Sequence, residues 1–102
     1  MTHHLKSWPG EFAQVQSGAK CHEIRNCDDR EFTKGDDVVL REWNPAVYEE
    51  NEPCVGREAA EKRAYTGREV LRRITYVSKA GSWGLPSNIC VFSIKPYERT
   101  DS

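Results

Sequence analysis

A chain of 102 residues has room for one domain with a thin core. With 37% hydrophobic and 30% charged residues it is not a disordered chain, and no apolar run approaches the ~18 residues of a membrane span. The net charge of −1 excludes a protein that coats nucleic acid by charge alone.

The first element is a short strand, His4 to Trp8, with Leu5 apolar and Trp8 as its anchor. Pro9 suits the first position of a helix, where its missing N–H costs nothing. Phe12 and Val15 share a face, and Gly18 is a natural left-handed stop, so a helix spans Pro9–Ser17. Gly18 to Arg25 then crowds Lys20, Glu23 and Arg25 around one apolar anchor, Ile24. As a strand this run places Cys21, Glu23 and Arg25 on one face and Lys20, His22 and Ile24 on the other.

Asn26 to Gly35 is turn chemistry with Phe32 as its anchor. Asp37 to Trp43 is a strand with two β-branched residues, stopped by Asn44-Pro45. Residues 46–64 contain Pro53 and Gly56 and no apolar stripe. They predict a long mobile loop, with at most a solvated helical turn over Arg57 to Arg63. Glu69 to Val77 is the longest strand pattern, and both of its faces carry bulk. Residues 78–88 form a loop in which Gly81 and Gly84 flank Trp83. Asn88 to Ile94 is a continuous apolar strand, hence buried. One helix among five strand patterns predicts a mainly β, α+β domain over residues 1–102: a small barrel or strongly curled sheet with a helix beside a cleft.

Charge is unevenly spread. Residues 26–51 hold eight acidic and three basic side chains, and residues 57–73 hold six basic and three acidic ones. The basic run reads as a solvated face or as one wall of a phosphate-binding cleft. Cys21, Cys27, Cys54 and Cys90 contain no Cys-x-x-Cys pair, which predicts free thiols and no structural metal. Met1 to Lys6 lacks the apolar core of a signal peptide, which predicts a cytoplasmic protein.

Leu5-Lys6, Pro9, Phe12, Val15, Gly18-x-Lys20-x-x-Glu23-x-Arg25, Asp29-Arg30-x-Phe32 and Gly35-Asp36 together resemble the activating-signal-cointegrator homology (ASCH) group of the PUA-like superfamily. The similarity extends through Leu40-Arg41-Glu42-Trp43, Tyr65-Thr66-Gly67-Arg68 and the last apolar strand, and is nearest to a small bacterial and phage family of unassigned function. The resemblance implies a barrel with a cleft lined by the Gly-x-Lys-x-x-Glu-x-Arg stretch, and RNA, a nucleotide or a modified nucleoside as partner, with no cofactor. Some members of the group are enzymes, an N4-acetylcytidine deacetylase and RNA-cutting proteins among them. The deacetylase pattern has Thr three residues after its Lys, where this chain has Glu23.

The candidate ligand-binding residues are therefore Lys20, Glu23, Arg25, Trp43, Tyr65, Arg68 and Trp83. Lys20 offers a point charge. Glu23 and Arg25 form either a fixed ion pair or a base-edge acceptor beside a phosphate contact. Trp43 and Trp83 are stacking walls or core lids. Tyr65 and Thr66 add hydroxyls near Arg68. In an enzyme, Lys20 and Glu23 would carry a hydrolysis. A third reading is an interaction factor whose acidic segment meets another protein.

Overall fold

A computed structural model describes residues 1–97. The elements in order are β1 (Thr2–Ser7), α1 (Pro9–Ser17), β2 (His22–Asn26), β3 (Asp37–Trp43), α2 (Pro45–Val55), α3 (Arg57–Ala64), β4 (Tyr65–Ser78), a single 3-10 turn (Ser82–Gly84) and β5 (Ile89–Pro96). The strands form one sheet in the order β1-β3-β4-β5-β2, so β1 and β2 stand at its ends. The fold is α+β with a five-stranded sheet and, among the described residues, three α-helices rather than one. None of these helices is long and apolar enough to cross a membrane. The described chain divides into two compact units: residues 1–3, 21–38 and 71–97 make the first, and residues 4–20 and 39–70 the second.

In the first unit β5 lies between β4 and β2, antiparallel to both. Alternation along β5 buries Cys90, Phe92 and Ile94. Phe32, supplied by the turn before β3, stacks between Phe92 and His3, with ring centroids 4.7 and 4.6 Å away. Gly35 takes a φ of 96°, which only glycine adopts without strain, and so brings Asp36 back towards His3.

Asp36 is the polar hub of this unit. His3 Nε2 lies 2.8 Å from one carboxylate oxygen, which also accepts from the Thr33 backbone N–H at 3.1 Å. The α-ammonium of Met1 sits 3.4 Å from the other. Burial pushes the Asp36 carboxyl up, but His3, the Thr33 N–H and the α-ammonium outweigh it and hold it below its ordinary value. An ionised carboxylate only accepts, which makes Nε2 of buried His3 the donor. A carboxyl lowered in the folded state stabilises fully above about pH 4, and that contribution is lost as pH falls through the folded value. The midpoint of urea unfolding should therefore drop between pH 6 and pH 3. In Asp36→Asn that acid-side drop should shrink.

The second unit is built on α1 and the pair α2 and α3. Phe12 and Val15 are buried, and the Gly18 N–H closes α1 on the Val15 carbonyl at 3.1 Å. Residues 46–64, expected as a long loop, are instead the two helices. Asn44 accepts from the Ala46 N–H at 3.0 Å and Pro45 occupies the first turn, so α2 has a complete N-terminal signal. Pro53 stands in the last turn of α2, near where the helix stops. The apolar stripe of α3 is made of alanine: Ala60 and Ala64 are buried. Small residues allow close approach without registering as an aliphatic pattern. Arg63 donates to Asn51 at 3.0 Å, which joins the two helices.

Trp43 is held in this unit as a staple. Its Nε1 donates to the Glu61 carbonyl at 3.2 Å, Tyr48 packs 5.6 Å from it, and Lys6 Nζ lies 4.3 Å from the ring centroid. It is 8% exposed, so the stacking wall expected of Trp43 is taken up by its own neighbours.

Candidate functional site

Two strands far apart in sequence, β2 and β5, bring the expected pair Glu23 and Arg25 against the core of the first unit. In the β2–β5 ladder Glu23 stands opposite Phe92 and Arg25 opposite Cys90. These four side chains share the inward face, as alternation predicts. Glu23 is 2% exposed, and one of its carboxylate oxygens accepts from Arg25 Nη2 at 2.7 Å. Of the two roles open to this pair, the geometry is that of a fixed ion pair, with Arg25 reaching towards solvent. Ile24, expected as an anchor, points the other way and is 60% exposed. Once Glu23 is committed inward, a period of two sends Ile24 outward.

Beside this ladder lies a cleft of about 390 Å³, lined by Cys27, Asp28, Arg30, Glu31, Phe32, Val77, Lys79, Ala80 and Cys90. Phe32, Val77, Ala80 and the two thiols are its apolar part, and Arg30 and Lys79 are its cations. The Arg30 guanidinium lies 6.0 Å from the Phe32 ring centroid. The volume falls in the roughly 300–1,000 Å³ range of small-molecule sites.

The loop that supplies Lys79 and Ala80 also presents Trp83. Four backbone bonds tie this loop to itself: Gly81 N–H to the Pro86 carbonyl, Ser82 to Lys79, Leu85 to Ser82 and Ile89 to Pro86, all between 2.8 and 3.2 Å. Trp83 adopts φ 55°, ψ 32°, a left-handed conformation that costs a side-chain-bearing residue roughly 1–2 kcal/mol. Its ring is 88% exposed. Of the two settings weighed for Trp83, lid on a core or platform in water, the structure shows an exposed ring on a braced loop.

The thiols behave differently from one another. Cys27 Sγ donates to the Asn88 carbonyl at 3.4 Å. Burial, and then the neighbouring Cys27, push the Cys90 thiol up to about 11. None of the four cysteines is in a disulfide, and Cys21 and Cys54 are exposed. Maleimide labelling at pH 7 should modify Cys21 and Cys54 first and Cys90 last, since the thiolate is the reactive form. Mass mapping of early labelling checks this, and early modification of Cys90 would contradict its burial.

The remaining expected residues belong to the second unit. Lys20, just before β2, pairs with Glu11 at 2.7 Å. Tyr65 and Arg68 line a smaller cleft of about 230 Å³ with Arg41, Glu42, Gly67 and Glu69. Its charges are internally matched. Glu42, 7% exposed, accepts from Thr66 Oγ1 at 2.8 Å and lies 3.6 Å from Arg68. Arg68 also donates to Gln16 at 2.6 Å, and Arg41 stacks 4.1 Å from the Tyr65 ring centroid while facing Glu69 at 3.4 Å. Four cations of the basic run over residues 57–73 have polar partners of their own. Lys62 faces Glu58, Arg63 bonds Asn51, Arg68 faces Glu42 and Arg73 faces Asp37.

Of the residues expected at the site, Glu23, Arg25 and Trp83 stand in the first unit but are not part of this lining, and the sequence gives no sign of Arg30, Lys79, Phe32, Val77 and the thiol pair as a common one. Arg30 and Phe32 carried part of the family resemblance. Nothing local ties them to Lys79, because only the antiparallel register of β2, β5 and β4 brings the loops 27–32 and 79–80 to one cleft.

No curated protein matches the chain. The family described as DUF3850, domain of unknown function, matches residues 2–94, from the start of β1 nearly to the end of β5. With so much of its length matched, the chain belongs to the DUF3850 family.

Proposed function

We propose that this domain is a PUA-like module of the ASCH kind that binds a nucleotide or a short stretch of single-stranded RNA in the cleft beside the β2–β5 ladder. One observation carries the reading: a tryptophan 88% exposed, held in a strained left-handed turn, on the loop that lines the cleft. Hydrophobic burial does not explain an indole left in water, and local preference does not explain its backbone. A base stacked on that ring explains both, at about 1–3 kcal/mol per base. Arg30 and Lys79 supply phosphate contacts. Arg25 presents a guanidinium fork, and buried Glu23 sets its orientation. The resemblance carried by Gly18-x-Lys20-x-x-Glu23-x-Arg25 supports the same ligand class.

With two cations in the cleft and a net charge of −1, binding is weak and mildly salt-dependent. For single strands the slope of log affinity on log salt should be about −1.4 for two neutralised phosphates. Fluorescence anisotropy with labelled short RNAs tests this, with nucleosides as competitors. Trp83→Ala should lower affinity about 5- to 150-fold, the equivalent of ~1–3 kcal/mol, and leave the unfolding midpoint unchanged. A parent protein that binds none of these ligands at millimolar concentration refutes the reading. Product analysis on the same mixtures, with acetylated cytidine included, detects any hydrolysis.

A further inference from the structure

The outer edge of β2 has a composition that complements itself. The Cys21 carbonyl accepts from the Ile94 N–H at 3.0 Å, and the Cys27 N–H donates to the Asn88 carbonyl at 2.9 Å. With the register between them unbroken, odd-numbered residues of β2 direct their backbone groups at β5. The N–H and C=O groups of His22, Ile24 and Asn26 therefore face away from the sheet. All three residues are exposed, and β2 is the last strand on that side. No proline or lysine guards this edge, and Ile24 leaves 60% of its surface in water. Such an edge is a template for another strand.

From this edge we infer that the protein self-associates through antiparallel pairing of β2 with β2 of a second copy, about a two-fold axis at Ile24. In that register Ile24 meets Ile24 and exchanges both backbone bonds with it. His22 meets Asn26 and does the same, so the outward groups of all three residues are used. Glu23 then stands opposite Arg25 of the second copy on the inward face, at the close spacing of a non-hydrogen-bonded pair. Opposite charges meet twice by symmetry, and no like charges meet. A parallel pairing in register would set Glu23 against Glu23 and Arg25 against Arg25. The charge pattern thus selects both a second copy and its direction. A five-residue strand buries well under the ~1,200 Å² of stable interfaces, so the dimer is weak and concentration-dependent.

Analytical ultracentrifugation of the full chain from micromolar to millimolar concentration is the test, with amide exchange at both ends of that range. The average mass should climb towards twice that of the chain. Amides of His22, Ile24 and Asn26 should gain at least several-fold protection as concentration rises, while those of Glu23 and Arg25 stay as they are. Ile24→Pro removes only an outward donor, and Ile24→Lys keeps the donor but sets two ammonium groups face to face. Each should hold the protein monomeric, and Ile24→Lys decides the matter if the proline variant loses its native circular dichroism. Trp8→Ala, at an exposed tryptophan elsewhere, should associate like the parent. A parent that stays monomeric throughout, association that survives Ile24→Lys, or protection that appears at other amides instead overturns the proposal. None of these outcomes depends on whether RNA binds.

Discussion

Phe92→Ala should destabilise the protein by about 3–5 kcal/mol, the range for removing a buried aromatic ring. Phe92 has no exposed surface, lies on the central strand of its unit and stacks on Phe32 at 4.7 Å. Deleting it strips one face of Phe32, whose other side packs against His3. A chain this size has about 5–15 kcal/mol in total, so the loss takes a large share of it. Chemical denaturation read by circular dichroism measures the change. A loss under about 1 kcal/mol would mean that the site collapses around the void, against the packing described.

Glu23→Ala should cost about 3 kcal/mol, the low end of the range for breaking a buried ion pair. The low end applies because Arg25 keeps 25% of its side chain in water and can rehydrate in part, whereas Glu23 keeps 3%. The double variant Glu23→Met, Arg25→Met should recover most of that loss, since paired apolar groups replace a buried pair at little cost. It should nevertheless bind ligand no better than Arg25→Met alone. A double-mutant cycle on stability and on RNA affinity separates the two effects. If Glu23→Ala leaves both quantities unchanged, the pair neither supports the fold nor orients the cleft.

Much of the fold was legible because local rules and packing agree there. Pro9 and Gly18 bracket α1, β-branched residues mark β3, and a continuous apolar run marks β5. The helices α2 and α3 were not legible. Their buried face is alanine, and Pro53 and Gly56 read as breakers although one stands in the last turn and the other falls between the helices. Ile24 misled because an isolated apolar residue in a polar run looks like an anchor. The face of β2 is set by Glu23, whose burial depends on Arg25 and on β5. Trp43 and Trp83 could not be told apart from sequence: one ring meets Lys6 and Tyr48, and the other meets water. The cleft lining stayed hidden because it joins residues some fifty positions apart, such as Phe32 and Lys79, through strand register.

The most direct test of the binding claim is an NMR titration of the parent protein with short single-stranded RNAs and with nucleosides. The Trp83 indole N–H and the amides of Arg30, Phe32, Lys79 and Ala80 should shift together and saturate with one affinity. Shifts confined to other residues, or none at millimolar ligand, would contradict the assignment of this cleft.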